Sequence, residues 1–170
     1  MRLAVRVALV LVLLAGLLVG GATALDRPAT SVHEEMVVEA PRRVVWRLLT
    51  DFGGYDAWNP YITRARGRAR RGAELELRLE PQGEEPQEVT CDVITVRTVR
   101  KLYWRCRDHL PGLLDREHTF RLLPMGPDRV RLVYDGRWEG IFVPFADLDD
   151  RQSGYRRMAL ALKALAERSS

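Results

Sequence analysis

Between residues 63 and 142 the chain repeats with a period of two, and no stretch after it does so. The clearest run is Glu74-Leu75-Glu76-Leu77-Arg78-Leu79-Glu80, with three leucines on one face and charges on the other. That alternation belongs to a sheet with one dry and one wet face, which antiparallel sheets commonly have. Residues 63–71, 89–99, 102–108, 117–123 and 129–142 are expected as further strands, and Pro81 to Pro86 and Pro124-Met125-Gly126-Pro127 as turns. In the last strand Val130, Leu132, Tyr134, Trp138 and Phe142 share a face with Gly136 and Gly140, whose missing side chains permit bending or close approach. A sheet of this width needs a large cover.

Helical spacing appears at only a few places. Residues 32–38 form a first strand candidate, with Val32, Met36 and Val38 on one face. Pro41 then opens a helix, because its missing N–H has no partner to lose in a first turn. Val44, Val45, Leu48, Leu49 and Phe52 line one side of that helix, Arg42, Arg43 and Arg47 the other, and Gly53-Gly54 ends it. Residues 55–61 are short and aromatic, and read as a helical turn folded over the sheet. Residues 147–168 are expected as a long helix, with Leu148, Tyr155, Met158, Leu162 and Leu165 at three- and four-residue steps. Asp147, Asp149 and Asp150 at its start and Lys163 and Arg168 near its end suit the helix dipole. The expected fold class is α+β: a curved antiparallel sheet of six to seven strands wrapped around the C-terminal helix, with two short helices between strands one and two. A strongly twisted sheet over one helix leaves a cleft, here roofed by residues 55–61.

The first residues differ from the rest. Arg2 and Arg6 precede an apolar run from Val7 to Val19, and Gly20-Gly21-Ala22-Thr23-Ala24 follows. These are the parts of a secretory signal peptide, cleaved after Ala24. The competing reading is an uncleaved anchor, since Val7 to Leu25 is just long enough for a bilayer core of about 30 Å. Both readings place the remainder, a linker at 25–31 and one domain at 32–168, in the periplasm, outside the cell, or tethered to the outer face of the cytoplasmic membrane. Removing residues 1–24 takes two arginines and no acid from 27 basic and 23 acidic residues, leaving 25 against 23, or +2. That charge does not point to nucleic acid.

Cys91 and Cys106 could pair in an oxidising compartment. A hairpin tip at Arg100-Lys101, however, would set Cys106 opposite Thr95, four residues from Cys91 at roughly 3.3 Å each and too far for a disulfide. Two buried thiols are therefore expected, although a register shift would restore the bond. No third or fourth ligand has metal-site spacing, so neither a metal nor another cofactor is expected.

The stretches Ala40-Pro41-Arg42-Arg43-Val44-Val45-Trp46-Arg47-Leu48-Leu49-Thr50-Asp51-Phe52 and Tyr55-Asp56-Ala57-Trp58-Asn59-Pro60 resemble the START-like or Bet v 1-like helix-grip superfamily, specifically its bacterial SRPBCC branch of polyketide cyclase/dehydrase type. Leu102-Tyr103-Trp104-Arg105, Glu117-His118-Thr119-Phe120-Arg121-Leu122 and Ala159-Leu160-Ala161-Leu162-Lys163 continue the resemblance over about residues 32 to 167. It implies a helix-grip fold with an interior cavity. Members include lipid carriers, cyclases and small-ligand receptors, so the fold does not select among them.

His118 shares strand parity with Phe120 and Leu122 and is expected to point inward. There it could hydrogen-bond a ligand or act as an acid–base group, or it could be a satisfied core histidine. His33 and His109 are expected at the surface or in loops. Trp58, Tyr61, Trp104, Tyr134, Trp138 and Phe142, with Tyr155, Met158 and Leu162 from the last helix, are candidate walls for an apolar ligand, and an ordinary core also buries such side chains. Asn59 could bind a ligand or hold its own loop. Arg64, Arg66, Arg68 and Arg70 have strand spacing, beside Arg71. They could meet anionic lipid head groups or protect a strand edge. No nucleophile–base motif is present, and Arg105 has the wrong parity to join the interior.

Three functions follow as expectations. The first is binding or carriage of a lipid or other hydrophobic small molecule. The second is a cyclase/aromatase-type lyase or isomerase with His118 and Tyr134 as acid–base groups. The third is a membrane- or protein-interaction module.

Overall fold

The computed structural model describes residues 29–107, 112–145 and 148–170, with the side chains of residues 148–151 outside that description. Seven strands form one antiparallel sheet: β1 (Ala29–Val38), β2 (Ile62–Gly67), β3 (Glu74–Leu79), β4 (Gln87–Arg97), β5 (Lys101–Cys106), β6 (Asp115–Pro124) and β7 (Val130–Glu139). Their spatial order is β1-β7-β6-β5-β4-β3-β2, so consecutive strands are neighbours except that β1 closes on β7. Helix α1 (Arg42–Thr50) and a 3-10 turn (Phe52–Ala57) connect β1 to β2, and helix α2 (Leu148–Arg168) ends the chain. Gly53 and Gly54 therefore sit inside the 3-10 turn rather than after the last helical residue. Strand β1 begins at Ala29, so residues 29–31, expected as linker, pair in the sheet.

Alternation along β6 buries Arg116, His118, Phe120 and Leu122 and leaves the residues between them half-exposed. The same parity in β7 buries Leu132, Tyr134 and Trp138. Helix α2 covers this face with Tyr155, Met158, Ala159, Leu162 and Ala166, all buried. Its apolar residues recur every three or four positions, as one face of a helix requires. Tyr61 and Gly154 show how closely sheet and helix approach. A Cβ added at Gly154 would lie 2.4 Å from Cδ2 of Tyr61, so only a residue without a side chain lets that ring lie on the helix.

The β4–β5 hairpin corrects the expected cysteine state. Its loop holds three residues, 98 to 100, rather than the expected two, because Arg97 pairs with Lys101. The Arg100 N–H donates to the Arg97 carbonyl at 2.8 Å, and Val99 takes φ +58°, a left-handed conformation costly for a β-branched residue. This loop shifts the register by three positions, and an irregularity between Val93 and Thr95 adds a fourth. Cys106 thus lies opposite Cys91, and the two form a disulfide. Neither the loop nor the bulge has a glycine signature, which is why residue spacing alone misplaced the pair.

Two further expectations change. Strand β7 stops at Glu139, and Gly140 turns the chain at φ +144°, where a Cβ would lie 2.3 Å from the Leu113 carbonyl oxygen. Phe142 consequently leaves the inner face and is 48% exposed. Strand β2 ends at Gly67, so the arginine series is split: Arg64 and Arg66 lie on an edge strand, while Arg68, Arg70 and Arg71 lie in the turn beyond it. The apolar segment 1–24 and His109 lie outside the described residues. Among the described residues no helix is long and apolar enough to cross a membrane.

Candidate ligand site between sheet and helix

One rung of the sheet carries the polar part of the interior. Val32 pairs with Gly136, Gly136 with His118, and His118 with Trp104. Gly136 leaves room for its neighbours: a Cβ there would meet the Tyr134 hydroxyl at 2.6 Å and the Trp138 ring at 2.7 Å. The expected use of this glycine, close approach, is therefore met by side chains of its own strand.

His118 is 1% exposed and is held through both ring nitrogens. Nδ1 lies 2.9 Å from the Tyr134 hydroxyl, and Nε2 lies 3.1 Å from the Tyr155 hydroxyl. Burial, aided by the nearby Arg116 charge, pushes the imidazole pKa well below its ordinary value, so the ring is neutral at pH 7. A neutral ring has one N–H and one lone pair; it therefore donates to one tyrosine and accepts from the other. Tyr155 stacks on His118 at 4.4 Å and on Tyr134 at 4.8 Å between ring centroids. Tyr61 meets Tyr155 edge-on at 5.0 Å. Burial, with the Tyr155 and Tyr61 hydroxyls nearby, drives the Tyr134 phenol well above its usual pKa. The site is consequently a set of neutral hydrogen-bonding groups.

Trp104 borders this set at 6.0 Å from His118 and 5.0 Å from Phe120. Its indole N–H is buried and has no hydrogen-bond partner among the described residues. A buried orphan donor costs about 1–3 kcal/mol, so such a group calls for an explanation. Trp138 closes the cluster, edge-on to His118 at 5.8 Å. Met158 and Leu162 are buried along the same helix face as Tyr155.

Other expected wall residues lie elsewhere. Trp58 is half-buried and packs on Tyr55, 4.9 Å away. Tyr55 is itself tied to the Leu49 carbonyl at 2.7 Å. The carboxamide oxygen of Asn59 accepts from the backbone N–H groups of Tyr61 and Ile62 at 3.0 and 2.9 Å, so Asn59 holds its own loop. Arg105 points outward, as its parity required, and pairs with Glu117 at 2.5 Å. His33 is exposed and pairs with Asp135 at 2.7 Å, which raises its pKa. Residue reasoning missed Arg116, an inward guanidinium only 4% exposed. Extending the parity of His118 and Phe120 by one more step would have found it.

A cleft of about 340 Å³ is framed by Arg42, Arg97, Arg100, Lys101 and Arg121 at the β4–β5 hairpin end. Around His118 the described aromatic side chains stack on one another.

A twisted seven-stranded antiparallel sheet gripping a C-terminal helix defines the helix-grip, START-like class of proteins. Residues 29–169 match the family model described as polyketide cyclase/dehydrase and lipid transport, and the chain belongs to that family. Among solved structures it is similar to the Zhui aromatase/cyclase from Streptomyces sp. R1128, at 18% identity and TM-score 0.67, covering 83% of this chain and 95% of that one. It is similar to a START superfamily protein from Mycobacterium smegmatis, at 23% identity and TM-score 0.67, covering 82% and 99%. It also resembles norcoclaurine synthase from Thalictrum flavum, solved with dopamine and hydroxybenzaldehyde, at 17% identity and TM-score 0.65, covering 82% and 87%. At these identities the likeness establishes the fold. No curated protein matches the chain.

Proposed function

We propose that this protein binds and carries a hydrophobic small molecule bearing at least one oxygen acceptor, outside the cytoplasm. The observation that carries the reading is the buried Trp104 N–H without a partner among the described residues, beside the His118–Tyr134–Tyr155 set and the buried Phe120 and Trp138 rings. A carbonyl or hydroxyl oxygen of a ligand would satisfy that donor, and the surrounding rings would cover its apolar body. Entry requires the stacked rings to part, with Tyr155 on α2 moving away from His118. The Cys91–Cys106 disulfide and the apolar segment at residues 7–25 support an oxidising compartment.

Binding is favoured over catalysis because His118 is held neutral and Tyr134 protonated, which suits recognition more than proton exchange near pH 7. One observation favours the cyclase-type alternative: an imidazole bridging two hydroxyls can pass a proton from one to the other by changing tautomer. The test is mass spectrometry of apolar compounds extracted from the purified full-length protein, with displacement of a fluorescent fatty acid. A bound oxygen-bearing compound displaced by the probe is the expected result. An empty protein that displaces no probe would sink the carrier reading. Turnover of an added polyketide-like substrate, lost in His118→Gln while binding persists, would establish the enzyme instead.

A further inference from the structure

The β4–β5 tip concentrates positive charge that the fold does not neutralise. From Val93 to Arg107 the sequence holds five cations and no acid, in a chain of 27 basic and 23 acidic residues. Strand register sets three cations side by side on one rung, because Arg97 pairs with Lys101 and Lys101 with Arg121. Directly opposite residues have Cβ atoms about 4.5–5.5 Å apart, where like charges repel. Of the three, only Arg121 makes an ion pair among the described residues, donating to Asp135 at 2.8 Å. Lys101 lies over the Tyr103 ring, 5.4 Å from its centroid. Strands β4, β5 and β6 are internal to the sheet, so these charges guard no edge.

Two more arginines join this rung around the cleft of about 340 Å³. Arg100 belongs to the three-residue loop. Its N–H donates to the Arg97 carbonyl at 2.8 Å and its carbonyl accepts from the Leu122 N–H at 2.9 Å, which ties the tip to β6. Arg42 opens α1, whose first turn holds no acid and whose cap residue, Pro41, makes no side-chain hydrogen bond. The positive end of a helix favours anions, so an arginine there is opposed by the dipole. No acid lines the cleft, and its remaining wall is Leu122, Leu123 and Pro124. A neutral residue at Arg97 or Lys101 would avoid the repulsion, so stability alone does not account for the cluster.

We infer that this cleft binds a phosphate ester, with Arg42, Arg97, Arg100 and Lys101 on the phosphoryl oxygens and Leu123 and Pro124 against the carbon body. A single carboxylate would leave most of this charge uncompensated, whereas a phosphomonoester carries about −1.5 to −2 at pH 7. Its oxygens also match the paired N–H groups of a guanidinium. The cleft has the volume of a small-molecule site. The same contacts serve a soluble ester and a phospholipid head group. The site is separate from the His118 set and does not rest on the ligand reading given for it.

Calorimetric titration of the purified full-length protein with inorganic pyrophosphate is the test. One saturable site that weakens as salt rises is expected; heat without saturation would overturn the proposal. Arg97→Gln, Arg100→Gln and Lys101→Gln together should lower the affinity by about tenfold or more. Arg68→Gln, Arg70→Gln and Arg71→Gln remove the same charge from the turn after β2 and should leave it unchanged. An equal loss in both variants would reduce the binding to general attraction and overturn the site. Without ligand, Lys101→Gln alone should melt no lower than the unsubstituted protein, because a like-charged neighbour is gone; a lower melting temperature would overturn the argument from repulsion. Citrate binding as tightly as pyrophosphate would overturn the choice of phosphate. Displacement of pyrophosphate by glycerol phosphate identifies a soluble ester. Capture on phosphatidylcholine vesicles containing phosphatidic acid, reversed by pyrophosphate, identifies a head group, and neither result would overturn the ester. Binding of a fluorescent fatty acid should be unchanged in the tip variant, and its loss there would show that the two sites are one.

Discussion

The two ends of the interior are built on the same sheet and covered by the same helix, yet their chemistry differs. Toward the β4–β5 tip, the rungs Met36–Leu132–Leu122 and Val38–Val130 are aliphatic, with Val45, Leu49, Leu162 and Ala166 also buried. Toward the other end lie Tyr134, His118, Trp104, Arg116 and Tyr155. Burying a histidine and an arginine is costly unless they are paired, and packing alone does not require them. The aliphatic end thus serves stability, while the polar end bears the groups able to recognise a ligand.

The difference can be broken first at the aliphatic end. Leu122→Ala should cost about 2–5 kcal/mol in denaturant unfolding while the folded fraction still binds a hydrophobic probe with unchanged affinity. A loss of affinity with little loss of stability would reverse the assignment of the two ends. Next comes the disulfide beneath the polar end. It closes a loop of sequence separation 15, and Cys91→Ser with Cys106→Ser should destabilise by about 3 kcal/mol. An unchanged midpoint would mean that the hairpin register holds without it.

Gly154→Ala sharpens the contact between sheet and helix. Helix propensity alone would stabilise by about 1 kcal/mol, whereas the clash with Tyr61 should destabilise by about 1–3 kcal/mol. A stabilised variant would show that Tyr61 does not lie on the helix as described.

The smallest effect is in pH. The folded pKa of His118 is depressed below its ordinary value of about 6.5, so the unfolded chain binds the proton more readily. The stability present above pH 6.5 should fall by up to about 1.4 kcal/mol per pH unit below it, until the folded pKa is reached. In His118→Gln that part of the slope should disappear; an unchanged slope in the variant would assign the pH dependence to other groups.

Much of this was legible in residue order. The period of two showed the sheet and its inner face, and parity alone turned His118 and Tyr134 inward and Arg105 outward. The aromatic stretch at 55–61 was legible as a unit but not in its parts: Tyr61 reaches the helix, whereas Trp58 stays with Tyr55. Phe142 was lost because a glycine that bends a strand and a glycine that ends one look alike until the Leu113 carbonyl is in place. The disulfide was lost because a loop and a bulge each shift register without altering composition.

Local periodicity determined the sheet and the covering helix, because side chains a fixed number of residues apart face the same way. Tertiary structure decided what those side chains meet. That the two nitrogens of His118 lie against Tyr134 and Tyr155, residues 16 and 37 positions away, depends on strand register and on where α2 rests. That the exposed apolar loop after β7 lies beside the start of β1 depends on the pairing of Ala29 with Glu139. Such pairings arise from hydrogen bonds between distant segments, and no local spacing encodes them.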